Sequence, residues 1–596
     1  MSSPKNPSAR KPGASTRALP RAPVEVAGVQ INFCKNPLCA NFGSPVPDTA
    51  QRGPGAQNPY RLVSATGIPC ATCLKCNETF PLKSNRGISE EACRLLAETF
   101  PVPACPTLLC VNHRVPITTL QAYQKFGSTK SGSQRYRCKE CGQTFAVKPP
   151  GRNPIGRQEQ SSKNRTILAM LVGKMPLRRI CEAAGVAPKV LYRRIDFFHE
   201  QALAFLADRE SRLPKMEIPR LYIGVDRQDH VVNWTRREDK RNVVLTAVAS
   251  ADNKTGYVFG MHANFDPEVD PAIIEKEAGA TGDVLLPAPH RRFARLWLQA
   301  DYDASVKRSA RLTLDNGLEA EIRATYTAVK LRQDIEASER CTGDERLPDT
   351  GMQTHSEYTL YGHFLRLHRL FSGVEKVRFF LDQESGIRAA CLGAFVERVK
   401  ARTCDAFYVR IAKELTVDEK RRRIANARSL FQSAAAAYPG LDENAVKLVL
   451  LKLRIAEARA LGPWKDRWVF HPLPTMAEPE KAMCWLTDFG DYDEDHLAWL
   501  YAKASLHAVD SWFNRVRRRS SLLERPLTSS SSWGRRWNGY SAYRPEQVGK
   551  MLTIMRACHN YVWTRAGAGS NRSTPAVRLG LAKAPLDYND IIYYSE

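Results

Sequence analysis

The chain runs to 596 residues, 43% of them hydrophobic, and its 88 Lys+Arg against 62 Asp+Glu leave a formal net charge of +26. Such a length exceeds what one core can organise and predicts about three to five domains, while the lack of any run of about eighteen apolar residues excludes a membrane-spanning helix. The cationic surplus favours a polyanionic partner, nucleic acid first among them, and 16 cysteines with no export signal point to metal sites in a reducing compartment rather than to disulfides.

In chain order, residues 1–30 open with MSSPKNPSARKPGASTRALPRAP and hold no acid before Glu25. No apolar stretch of signal-peptide length interrupts them, so they read as a disordered basic arm. An internal repeat follows. Its first copy, expected as a zinc ribbon over 31–87, is Cys34-x4-Cys39, then 33 residues, then Cys73-x2-Cys76 followed by Asn-Glu-Thr-Phe. The second, over 100–147, is Cys105-x4-Cys110, then 27 residues, then Cys138-x2-Cys141 followed by Gly-Gln-Thr-Phe. Each copy offers four thiolates as two close pairs, which is what a closed tetrahedral site for one structural Zn²⁺ demands. Cys70 has no counterpart in the second copy and is left out of the ligand set. Lys125, Phe126, Arg135 and Tyr136, between the second pair of knuckles, suit a nucleic-acid surface and equally an ordinary solvated face.

Pro149–Arg157 reads as a linker from its Pro, Gly and Arg content. Over 160–212, Ile167–Val172 is an apolar helix. In the segment after it, Leu177, Ile180 and Cys181 recur at helical spacing, Ala183-Ala184-Gly185-Val186 makes a tight turn, and Pro188 opens a helix carrying Lys189, Tyr192, Arg193 and Arg194. This is the pattern of a helix-turn-helix, whose second helix can enter the DNA major groove.

The stretch 218–565 reads as an α/β core around a mixed sheet. Leu221–Asp226 is a buried strand ending on an acid, Asn242–Ser250 and Gly256–Ala263 are two more strands, and Ala251–Thr255 is the hairpin turn between those two. Residues from about 264 to 350 are broken and highly charged, and read as an insertion. His355–Phe371 is an amphipathic helix. Its His355, His363 and His368 do not share a face at i, i+4 and are assigned to no metal. Val377–Asp382 is a strand that again ends on an acid, residues 391 to 399 are helical, and Ala406–Ile411 is a fifth strand. A second insertion, over about 415–496, holds helices at roughly 416–436 and 443–461. Leu497–Arg518 then reads as one long helix on which Asp510, Asn514 and Arg517 share a face, and residues 566–596 form a tail.

Asp226, Asp382 and Asp510 thus stand on the first strand, the fourth strand and the last core helix. If the first and fourth strands are neighbours, the first two carboxylates lie side by side, and a helix across the sheet brings the third. Three carboxylates of this kind can hold two Mg²⁺ or Mn²⁺ ions about 3.5–4 Å apart for in-line attack on a phosphodiester.

With these residues assembled, the chain resembles the DDE transposases of bacterial insertion sequences. The resemblance rests on GVDRQ at 224–228, FFLDQESG at 379–386 and DSWFNRVRRRSSLLERP at 510–526, and it extends to HNYVW at 559–563 and STPAVRLGL at 573–581. It implies a ribonuclease H-like core with Asp226, Asp382 and a third acid as the catalytic magnesium ligands. The implied activity is cleavage and strand transfer at the ends of the element. It also implies that the basic residue seven positions after the third acid, here Arg517, contacts DNA, with Arg515, Arg518 and Arg519 crowding the same helix. One departure is plain: the family usually has Glu where Asp510 stands. Glu524 is the rival, but the residue seven beyond it is Ser531, which is not basic. The partners implied are double-stranded DNA and further copies of the chain assembled on it, in the cytoplasm of a bacterium beside the nucleoid. A catalytically inactive DNA-binding regulator derived from such a transposase, or a ribonuclease H-like nuclease that cuts without joining, would carry the same motifs.

Overall fold

The apolar runs of the central stretch pair into one eight-stranded mixed sheet. In the computed structural model, which describes residues 19–49, 58–65, 68–100, 102–119, 121–130, 132–146, 158–312, 343–383, 386–412, 415–461, 466–525, 536–564 and 573–594, the strands are β1 (Ile218–Val232), β2 (Val243–Asp252), β3 (Val258–Ala263), β4 (Val374–Asp382), β5 (Cys404–Ile411), β6 (Arg459–Leu461), β7 (Asp466–Phe470) and β8 (Lys481–Trp485). Their spatial order is β6-β7-β8-β5-β4-β1-β2-β3. β4 runs parallel to both β1 and β5, and every other neighbouring pair is antiparallel. A parallel pair needs a long crossover. The helix Ser356–Leu370 lies within the one from β3 to β4, and the helices Ile387–Ala394 and Val396–Lys400 make the one from β4 to β5. The β2–β3 turn closes as its residues predict: Asp252 Oδ2 accepts from the Thr255 N–H at 2.8 Å and from its hydroxyl at 2.7 Å.

Four expectations need correction. β1 does not end on Asp226 but runs on to Val232, because its antiparallel partner β2 continues beside it after the parallel pairing with β4 has stopped. The stretch 415–496 stands only partly apart. Its helices Val417–Ala437 and Glu443–Ala456 carry few buried residues, but β6, β7 and β8 extend the core sheet, where Trp468, Met483 and Trp485 are buried. The single helix expected over Leu497–Arg518 is two, Glu494–Lys503 and His507–Arg519, broken where Ala504 turns extended. Residues 19–30, expected in the disordered arm, pack on the first ribbon: Ala22 is buried in its core, Arg21 donates to the Tyr60 carbonyl at 2.8 Å, and Asn85 donates to the carbonyls of Pro23 and Val24. The remainder of the arm, the linker at 149–157 and Ser531 lie outside the described residues.

The N-terminal units share the core rather than hanging from it. One apolar cluster runs from Leu168, Ile180 and Leu191 of the helix-turn-helix into Ile223, Phe259 and Met555, with Ile31 and Phe42 joining from the first ribbon. Buried ions tie the same pieces together. Glu210, at the end of the long helix Pro188–Glu210, accepts from Arg366 at 2.6 Å and from Arg556, and Arg295 bonds both Glu91 (3.2 Å) and Asp266 (2.8 Å). Removing either partner of such a pair would strand a buried charge, at a cost of about 3–5 kcal/mol. Among the described residues no helix is long and apolar enough to cross a membrane.

Candidate functional site

The two cysteine repeats close into two quartets. In each, the ligand sulfurs all lie within 4.8 Å of one another: Cys34, Cys39, Cys73 and Cys76 in the first, and Cys105, Cys110, Cys138 and Cys141 in the second. The nearest pairs bridge the knuckles, Cys34 to Cys76 at 3.5 Å and Cys39 to Cys73 at 3.6 Å, with Cys105–Cys141 and Cys110–Cys138 repeating those distances. Four Zn–S bonds of about 2.3 Å in a tetrahedron require sulfurs about 3.8 Å apart, so both quartets can hold zinc. Cys70, buried nearby, points its thiol at the Ile68 carbonyl and stays outside.

The repeat goes deeper than the ligands, to residues that cysteine spacing alone does not single out. Asn41 and Asn112, each two residues after the second cysteine of its copy, donate both a backbone N–H and a side-chain N–H to quartet sulfurs at 3.3 to 3.4 Å. Tyr60 and Tyr123 accept from the N–H of Cys34 and Cys105 and donate back to carbonyls of the same loop. Bonds of this sort orient ligands and neutralise thiolate charge. The Cys-x4-Cys-x-Asn pattern in both copies was the available signal.

On β1, side chains alternate, so Asp226, Gln228 and His230 share one face. The parallel register of β1 with β4 ends at Val225 opposite Leu381, and the very next residues are Asp226 and Asp382. The two carboxylates therefore leave the sheet at one level, 2% and 3% exposed, and each accepts the N–H of the following residue, from Arg227 at 2.7 Å and from Gln383 at 3.0 Å.

Asp510 arrives on the helix His507–Arg519, whose Val509, Trp512, Phe513 and Val516 are buried and which packs across β1 and β2. Its start is set by the hairpin turn. Asn253 donates to the Ser505 carbonyl at 2.7 Å and accepts the Ala508 N–H at 3.3 Å, so the turn residue caps the new helix three residues before Asp510. A cleft of about 1110 Å³ opens between these elements, lined by Asp226, Gln228 and His230 from β1 and by Asp510, Asn514 and Arg517 from the helix. Lys420, Glu524, Arg525 and Arg536 complete its rim, and Asp382 is not among the lining residues. Among the described residues only the cysteine quartets bring three or more potential ligands within 4.8 Å, so the three aspartates converge on one region without reaching that separation.

Arg517 is half-buried, and burial together with Arg525 pulls its pKa below the ordinary arginine value while Asp510 and Asp226 oppose the shift. The guanidinium thus lies in electrostatic reach of both acids. Burial, reinforced by Arg517, lowers the His230 pKa to about 4 and keeps its ring neutral. Glu524, the alternative third acid, is paired with Lys174 at 2.7 Å. Of the other arginines on the helix, Arg515 bonds the His559 ring at 2.8 Å and Arg519 sits 4.4 Å over Trp563, while Arg518 and Arg519 are both exposed.

The helix-turn-helix forms as Leu177–Ala184, a left-handed Gly185 (φ +59°) and Pro188–Glu210, and it abuts the acid-bearing helix where Lys174 N–H bonds the Arg519 carbonyl at 2.9 Å. Lys189, Tyr192 and Arg193 are exposed. Arg194, expected among them, is buried and donates to the Glu159 carbonyl; its place on the helix turns it inward. No known protein-family model matches this chain, and no curated protein matches it either.

Proposed function

We propose that the protein is a DDE-type DNA transposase with a ribonuclease H-like core, which binds the ends of its element and cuts and joins DNA strands at the Asp226–Asp382–Asp510 site. The reading is carried by the parallel register that brings Asp226 and Asp382 to the same level on neighbouring strands, with Asp510 lining a basic cleft together with Asp226. The strand order β3-β2-β1-β4-β5 and its directions agree with such a core.

Three carboxylates are a hard-oxygen donor set suited to Mg²⁺ or Mn²⁺. A cation held by them would offset the repulsion between their like charges. Asp226, Asp382 and Asp510 would hold such ions, whose chemistry when bound would be to lower the pKa of the attacking water or 3′-hydroxyl and stabilise the leaving oxygen. The rest falls to the chain's own groups. Arg517, held near Asp226 and Asp510, orients the scissile phosphate through charge-assisted bonds that partial burial strengthens. Lys189, Tyr192 and Arg193 seat the duplex, and Arg518 contacts phosphate. Asp510 is preferred to Glu524 because Arg517, the basic residue seven positions after it, lies in electrostatic reach of Asp510 and lines the same cleft. The quartets serve as zinc-held structural ribbons.

The test is divalent-metal-dependent cleavage and strand transfer on DNA bearing the ends that flank the gene. Asp226→Asn, Asp382→Asn and Asp510→Asn should each reduce both to background with DNA binding nearly intact. An active Asp510→Asn beside a dead Glu524→Gln would move the third ligand and leave the enzyme reading in place. A wild type that binds those ends but cuts with neither Mg²⁺ nor Mn²⁺ would make the protein a regulator.

A further inference from the structure

Between the cleft and the helix-turn-helix runs a strip of exposed rings, three of which neither site explains. Trp537, Tyr540 and Tyr543 are 49%, 55% and 42% exposed, and Tyr192 on the helix-turn-helix is 41% exposed. The segment bearing the first three is firmly seated. Buried Asn233, just past the end of β1, donates to the carbonyls of Asn538 (2.5 Å) and Ser541 (3.4 Å), and its own N–H donates to the Ala542 carbonyl at 2.8 Å. Trp234 adds a second indole 6.4 Å from Trp537, with Lys240 over its ring at 5.7 Å. At one end of the strip Arg536 lines the acid-bearing cleft. At the other, Tyr543 and Arg544 lie in electrostatic reach of Tyr192, and Tyr540 in reach of Arg179. From Arg525 to Pro545 the sequence holds no acid and includes Arg525, Arg535, Arg536 and Arg544.

Exposed π-faces interleaved with guanidinium groups are what single-stranded nucleic acid stacks on, whereas a closed duplex offers such rings no base faces. We propose that this strip holds unpaired nucleotides, so that the DNA handled by this protein is opened between the segment bound by the helix-turn-helix and the strand entering the cleft. The inference rests on the DNA-processing reading above and deepens it by naming the substrate as a duplex with an unpaired stretch. The rings supply sequence-tolerant stacking, and Arg536 and Arg544 supply phosphate contacts that lead the strand toward Asp226.

The full-length protein is titrated with three labelled DNAs: a closed duplex, the same duplex with one strand unpaired over several nucleotides near its end, and an oligothymidylate. Wild type should bind the opened duplex at least about tenfold more tightly than the closed one. Trp537→Ala should erase most of that difference, since one stacked base is worth roughly 5- to 150-fold in affinity, and Trp537→Phe should restore it. Trp537→Ala should leave the salt slope unchanged, whereas Arg536→Ala and Arg544→Ala should each lower it by about 1. Equal affinity of wild type for open and closed duplex overturns the proposal even if cleavage is intact, as does a Trp537→Ala variant that keeps the full preference. A protein that prefers the opened duplex but never cuts it upholds the strip and removes the enzyme reading.

Discussion

Asn253 links the most local feature of the chain to the position of its third acid. Replacing it by Ala deletes the 2.7 Å bond to the Ser505 carbonyl and the 3.3 Å bond from the Ala508 N–H, with no cavity in the core because the side chain is only half-buried. A neutral hydrogen bond contributes about 0.5–1.5 kcal/mol, the longer of the two toward the low end, and loss of a helix cap costs about 1 kcal/mol. The sum is about 1–2 kcal/mol, which raises opening of the first turn of His507–Arg519 by roughly 5- to 30-fold. Native-state hydrogen exchange reads this directly. Amides around Asp510 should lose that much protection, while those of β4 and β5 keep theirs. Asn253→Asp, which retains the acceptor for Ala508 and loses the donor to Ser505, should fall between. If metal-dependent cleavage is present, it should drop together with protection, since a misplaced group about 1 Å from its mark can cost roughly a hundredfold. Unchanged exchange at the helix start in Asn253→Ala would refute the idea that the hairpin turn positions this acid.

Native mass spectrometry of chelator-free protein should find two zinc ions per chain, and Cys34→Ser or Cys138→Ser should each remove one; a chain with none would end the ribbon assignment. Arg193→Ala should weaken DNA binding and lower its salt slope by about 1, while Arg194→Ala, at a buried position, should lower the unfolding midpoint instead; the reverse pattern would misplace the recognition face. Stability should fall as pH drops from about 6.5 toward 4. Burial, aided by Arg517, depresses the His230 pKa to about 4, and burial beside His262 takes His363 well below its ordinary value, so the unfolded chain gains protons there that the folded chain refuses. Denaturant midpoints that stay flat over that window would contradict it.

Local chemistry was enough for part of this protein. The duplicated cysteine spacing specifies two quartets because a knuckle of fixed length can place two sulfurs only in a narrow range, and both quartets close as the spacing predicts. The tight turn at Gly185, the hairpin turn at Ala251–Thr255 and the apolar runs of β1, β4 and β5 were legible for the same reason: their periodicity and turn residues act over a few positions. What lay beyond local pattern was decided by long-range packing. A helical pattern could not show that the expected Leu497–Arg518 helix breaks at Ala504, beside a start of the second helix that Asn253, more than 250 residues away in sequence, bonds, nor that Arg194 turns inward toward Glu159. β7 and β8 looked like part of an insertion because a short strand gains its stability from the neighbour it pairs with, and the strand that joins this hairpin to the core sheet, β5 beside β8, is distant in the chain. The same holds for the acids. Their order was readable, but the approach of Asp226 and Asp382 to one level depends on β1 and β4 being adjacent, which only the paired sheet decides.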